Sequence, residues 1–242
     1  MVLAHVVRRF AGAVAALMLV AGCATAPEET RPAPTGAPAS PMAEGWAVQR
    51  LPGKRLTEYT PAVRAGLRCT QARADRSASL WRRVLRLEPQ AWRTLQFSWW
   101  VDALSADATV ADINRDDASA RLVLAFDGDA RRLSARNQML FELAHTLTGE
   151  PPPYATLMYV WDAAAPVGTI ITSERSDRIR KIVIESGPAR LHRWQHYERD
   201  AQADFLAAFG EAPGALIGLA FMTDADNTQG RAEACYGPAR LR

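Results

Sequence analysis

Residues 94–104, TLQFSWWVDAL, decide the fold. Leu95, Phe97, Trp99 and Val101 fall on one side of an extended chain, and Gln96, Ser98, Trp100 and Asp102 fall on the other. That period of two belongs to a strand with one face in a core. Outward from it the same kind of segment recurs. Residues 66–74 (GLRCTQARA) alternate, and residues 121–126 (RLVLAF) run into Asp127-Gly128-Asp129, a turn. Residues 155–161, 168–172, 179–185, 215–222 and 232–241 read as further strands.

Two stretches break the pattern. Residues 134–148 place Leu140, Leu143 and Leu147 at helical spacing, between a capping Ser134 and a terminating Gly149. Residues 198–209 put Phe205, Ala208 and Phe209 on one side and stop at Gly210. Many short strands, two short helices and no β–α alternation predict an all-β domain, an antiparallel β-sandwich of jelly-roll type with the helices packed on it.

The chain has 242 residues, 48% hydrophobic and 23% charged, ordinary for a globular protein. Its first 22 residues have a separate character. Arg8 and Arg9 precede a short apolar run, residues 10–20 (FAGAVAALMLV), and then Ala21-Gly22-Cys23. The run is too short for a permanent membrane span and reads as a secretion signal. Small residues before Cys23 resemble a bacterial lipoprotein signal. The resemblance implies cleavage before Cys23, acylation of its thiol, and, because Ala24 follows, the outer membrane over retention at the inner one; the expected location is the cell envelope, facing the periplasm. Each buried methylene of such an anchor contributes about 0.8 kcal/mol. Residues 23–45 are then the lipidated cysteine and a Pro- and Ala-rich tether, and residues 46–242 one folded domain.

Removal of Arg8 and Arg9 leaves 27 basic against 26 acidic residues, intermingled along the chain. Without a basic stripe, nucleic acid is not an expected partner.

Several groups of residues carry candidate chemistry. Gln96, Ser98 and Trp100 share the less apolar face of their strand, and Thr156 has similar alternation. Arg121 and Glu185 interrupt otherwise apolar strands. If they share a face, they pair beside a groove, opposite Trp100, where a ring among hydrogen-bonding groups suits a sugar. The other reading is a core tryptophan and a structural ion pair. Asp224, Asp226 and Asn227 (DADNT, residues 224–228) form the densest set of oxygen ligands. They suit a structural Ca²⁺, with Asp112, Asp116 or Asp117 as added ligands, or else a turn whose side chains cap backbone amides and pair with arginine. His192 and His196 are four apart, with His145 distant, in a segment whose Pro188 argues against the helix a zinc site would need. Cys69 and Cys235 remain after lipidation, on strands near opposite ends of the domain. In an oxidising compartment they form a disulfide or two buried thiols. No C-x-x-C pair supports redox catalysis.

Trp99 to Asp102, Asp116-Asp117, Ala120-Arg121 and Phe126 to Asp129 resemble the first half of an uncharacterised bacterial envelope family, domain of unknown function 3047. Residues 153–157 (PYATL), Tyr159 to Trp161, Val183 to Gly187, Trp194, Arg199-Asp200, Phe209-Gly210 and Met222 to Thr228 resemble the second half. The resemblance runs from about Trp46 to Leu241 and implies a secreted β-sandwich, with no activity attached.

The sequence therefore points to a lipid-anchored, non-catalytic module binding a glycan or another envelope ligand. A glycan-active hydrolase or lyase using Glu185 with Asp117 or Asp224, and a structural lipoprotein with protein partners, are the alternatives.

Overall fold

The computed structural model describes residues 45–242. Cys23, the signal and nearly all of the tether lie outside them. In chain order the strands and helices are β1 (Trp46–Arg50), β2 (Glu58–Arg64), β3 (Leu67–Asp75), β4 (Ser79–Leu87), β5 (Thr94–Val101), β6 (Arg121–Phe126), α1 (Ala135–Thr148), β7 (Ala155–Asp162), β8 (Ile170–Ser173), β9 (Ser176–Ser186), β10 (Gln195–Asp200), α2 (Ala201–Phe209), β11 (Leu216–Met222), β12 (Arg231–Tyr236) and β13 (Arg240–Leu241). Among the described residues no helix is long and apolar enough to cross a membrane.

The strands form a sandwich of two sheets. One sheet has seven strands in the order β1-β4-β11-β6-β7-β9-β8. The other has the order β10-β5-β12-β3-β2, with β13 also on β5. Pairing is antiparallel except between β7 and β9, which run parallel. That corrects the expectation of a wholly antiparallel sandwich. The cause is β8, which lies outside β9 and serves as the crossover that a parallel pair requires.

The alternation in β5 sets the core. Leu95, Trp99 and Val101 are fully buried and Phe97 nearly so, whereas Trp100 on the opposite face is half-buried. Aromatic contacts join the two sheets: Phe97 stacks on Tyr159 with ring centroids 5.7 Å apart, and Phe221 on Tyr236 at 4.4 Å. α2 inserts Phe205 against Phe126 at 4.6 Å and closes one end.

Both helices differ from expectation. The chain stays extended through Glu198–Asp200, paired with β5, and α2 begins only at Ala201, because the Asp200 carboxylate caps it by accepting from the Ala203 amide at 3.0 Å. α1 has the expected ends, with Ser134 accepting from Asn137 and Gly149 in the left-handed conformation. Two of its three leucines do not pack on the sandwich, however. Leu143 and Leu147 are 54% and 64% exposed, and Asn137 is the buried residue of the helix, held by Asp177 and Ser176.

Cys69 on β3 and Cys235 on β12 form a disulfide with Cα atoms 5.7 Å apart. It lies on the outer face of the six-stranded sheet, and Cys235 pairs in register with Trp100.

The two adjacent tryptophans should respond differently to truncation. Trp99→Ala is expected to cost about 3–5 kcal/mol in denaturant unfolding, the range for loss of a large core side chain. Trp100→Ala should cost no more than about 2 kcal/mol. Equal losses would contradict the division of β5 into a core face and an outer face.

Candidate functional site

The outward face of the seven-stranded sheet is a cleft, and strand register builds its floor in rows. Arg82, Ala220, Val123, Met158 and Lys181 follow one another across β4, β11, β6, β7 and β9. Beside them run Gly218, Ala125, Thr156 and Ile179, and on the other side Met222, Arg121, Val160 and Val183. A solvent-facing row is expected to be polar. Here Val123, Ala220 and Met222 are buried and form a small apolar cluster with Ala78, joined by Leu51, Leu80 and Met158. Ala144 and Thr148 of α1 and the following Pro151, Pro152 and Pro153 form one wall. The enclosed space is about 380 Å³, and no aromatic side chain lines it.

One end of the cleft is closed by the loop between β5 and β6. Asp162 holds this loop, accepting from the Val110 amide at 2.7 Å. Val110 and Ala118 then cover Val160 and Val183. Under the loop lies a buried charge cluster. Arg121 donates from Nε and Nη2 to the two carboxylate oxygens of Asp224, both at 2.9 Å, and from Nη1 to Asp116 at 3.0 Å. Its Nη2 also donates to the Asp116 carbonyl at 2.7 Å. Lys181 donates to Asp116 at 2.5 Å and to the Val110 carbonyl at 2.9 Å. Burial pushes the Asp224 carboxyl up to about 7 against the pull of Arg121, with Asp117 and Asp116 adding to the rise. Burial also lowers Lys181, with Arg121 as a second cause. For Arg121 burial acts in the same neutralising sense, but Asp224 and Asp116 outweigh it and hold the guanidinium firmly charged.

The six residues expected to form one groove lie in three places. Arg121 and Thr156 face the cleft. Gln96, Ser98 and Trp100 face outward from the other sheet. Glu185 points between the sheets and accepts from the Tyr197 hydroxyl at 3.1 Å. The expected Arg121–Glu185 pair is therefore not formed. The reason is a register shift between Val160 and Trp161, which sets Glu185 opposite the core residue Trp161 and turns it off the cleft face. Sequence reasoning missed Lys181, Met158 and Val123 as cleft residues. The available signal was that RLVLAF and LIGLAFM are apolar on both faces, which marks strands covered on both sides.

Asp117, Asp224 and Asp226 bring carboxylate oxygens within 4.8 Å of one another. The donor set does not fit Ca²⁺. Asp224 is held by Arg121, Asp226 is paired with Lys54, and Asp117 accepts from the amides of Asn227 and Thr228. Asn227 itself donates to the Ile113 carbonyl at 2.7 Å. In this structure Lys54, Arg121 and backbone amides satisfy those carboxylate oxygens. His145, His192 and His196 are all exposed, on α1, in the turn before β10 and on β10.

Fold and site together define an all-β sandwich domain with a concave cleft whose charges are mutually paired. The family model described as protein of unknown function (DUF3047) matches residues 44–240, and the chain belongs to that family. No curated protein matches it in sequence. Among solved structures, a loop-swap mutant of Xyn11A from Necallimastix patriciarum is similar over 84% of this chain and 97% of its own, at 11% identity and a TM-score of 0.35. A likeness that distant carries no argument about function.

Removal of one partner from a buried ion pair strands the other charge. Arg121→Met should therefore cost about 3–5 kcal/mol in denaturant unfolding, and Arg121→Met combined with Asp224→Leu should recover much of that loss. A single variant within about 1 kcal/mol of the native protein would show that the cluster does not hold this end of the sheet.

Proposed function

We propose that the protein is a bacterial envelope lipoprotein, anchored through acylated Cys23 on the periplasmic side of the outer membrane, and that its sandwich is a non-catalytic binding module. The ligand class that fits the cleft is an elongated apolar molecule, an acyl chain or similar. The observation that carries this reading is the floor row Ala220, Val123 and Met158, apolar on a face that would otherwise meet water. A chain laid along it removes apolar surface from water at roughly 25 cal/mol per Å². The lack of any lining ring argues against a stacked sugar here, and the paired state of Arg121, Lys181, Asp116 and Asp224 argues against a highly charged ligand. Hydrolysis by Glu185 with Asp117 or Asp224 gains no support, since Glu185 is turned into the interior and both aspartates are tied to donors.

Two outcomes are expected. A fluorescent fatty acid should bind the native protein saturably, and Met158→Trp, which fills the cleft from a half-buried floor position, should weaken binding at least tenfold while leaving the unfolding midpoint in place. Failure of the native protein to take up the probe would refute the ligand assignment. Separately, Cys23→Ser should abolish labelling by radioactive palmitate and release the protein from membranes. A variant that still fractionates with membranes, beside a native protein that takes up no label, would refute the anchor.

A further inference from the structure

The outer face of the six-stranded sheet presents a second arrangement, remote in chemistry from the cleft. β5 and β10 pair with Ser98 opposite His196 and Gln96 opposite Glu198. Because Leu95, Phe97 and Trp99 point into the core, Gln96, Ser98 and Trp100 form one outward row, and His196 and Glu198 a second beside it. Trp194 precedes β10 and meets Trp100 edge to face, with ring centroids 6.2 Å apart. Both indoles are fixed without being buried. Trp194 donates from Nε1 to the Arg64 carbonyl at 2.9 Å, Trp100 donates to Asp102 at 2.7 Å, and both rings are half-buried.

Beyond the rings the face turns polar. The Gln96 amide donates to Glu198 at 2.8 Å. Arg240 pairs in register with Gln96 across β13, and Arg68 lies on β3, both exposed. Gly237 packs so closely on Ser98 that a Cβ there would stand 2.2 Å from the Ser98 hydroxyl. Trp194, His196, Gln96, Glu198, Arg68 and Arg240 surround a space of about 760 Å³.

A pre-oriented indole wall, hydrogen-bonding side chains spaced along two strands, and two guanidiniums against one carboxylate match the chemistry of a sugar acid. The apolar C–H face of a pyranose covers an indole, its hydroxyls exchange hydrogen bonds with an amide and a carboxylate, and its own carboxylate suits arginine. We propose that this face is a binding site for an acidic glycan, with Trp194 as the stacking ring, Gln96 and Glu198 as hydroxyl partners, and Arg68 and Arg240 as the carboxylate partners.

The test is calorimetric titration of the detergent-solubilised full-length protein with an oligogalacturonate and with a neutral gluco-oligosaccharide of equal length. The acidic oligomer should bind at least tenfold tighter. Trp194→Ala should reduce that affinity at least tenfold, and Gln96→Ala, at a solvent-facing position that leaves the core untouched, several-fold. The Arg68→Ala, Arg240→Ala double variant should remove the preference for acid over neutral. Met158→Trp in the cleft should leave all of these values unchanged, which separates this site from the acyl site. Absence of binding, equal binding of both oligomers, or affinities unmoved by Trp194→Ala and Gln96→Ala would overturn the proposal.

Discussion

The bidentate contact between Arg121 and Asp224 joins the start of β6 to the turn after β11, and much of the seven-stranded sheet's upper end depends on it. Both side chains are almost wholly removed from water, so neither can lose its partner cheaply. The same guanidinium recruits Asp116, and Asp116 in turn takes Lys181 from β9. Three strands and the β5–β6 loop are thereby fixed to one another by a few charge-assisted bonds. The arrangement is specific because alternatives leave a buried charge unpaired. It also explains why an acidic segment that could suit a cation holds arginine and lysine instead.

With that end closed, the cleft acquires its character. Charges lie beneath the loop and are satisfied, while the open floor is left to valine, alanine and methionine. α1 contributes a wall but little packing, since Leu143 and Leu147 remain in water and Asn137 ties the helix to the sheet through polar contacts. The opposite sheet has the reverse design. Its inner face is closely packed aromatic core, and its outer face combines indoles, a disulfide and charged side chains at strand spacing. The two faces therefore offer different chemistry, apolar on one side and polar-aromatic on the other.

Much of the architecture was legible in the sequence where period two was clean. β5 carries it plainly, β6 is legible instead as a short apolar run ended by a turn, and the caps of α1 stand in the letters Ser134 and Gly149. β1, β2, β4 and β10 were not legible. Adjacent arginines in β4 (Arg82-Arg83) hide its alternation, and Glu198-Arg199-Asp200 reads as a helix start until pairing with β5 claims it. The site was legible only in part. Arg121 and Thr156 could be picked as odd polar residues in apolar strands, but which face Glu185 takes depends on a register shift that local sequence does not encode. The partner of Arg121 lies 103 residues away and is chosen by the order of strands in the sheet, which alternation alone does not supply.

The central claim is that the cleft floor receives an apolar chain, and methionine methyl NMR tests it most directly. Met158 and Met222 belong to the floor cluster, while Met139 stands 65% exposed on α1 and serves as an internal control. Titration with a long-chain fatty acid should move the Met158 and Met222 methyl resonances saturably and leave Met139 in place. Floor methyl signals that stay unmoved at saturating fatty acid, or shifts confined to Met139, would contradict the account.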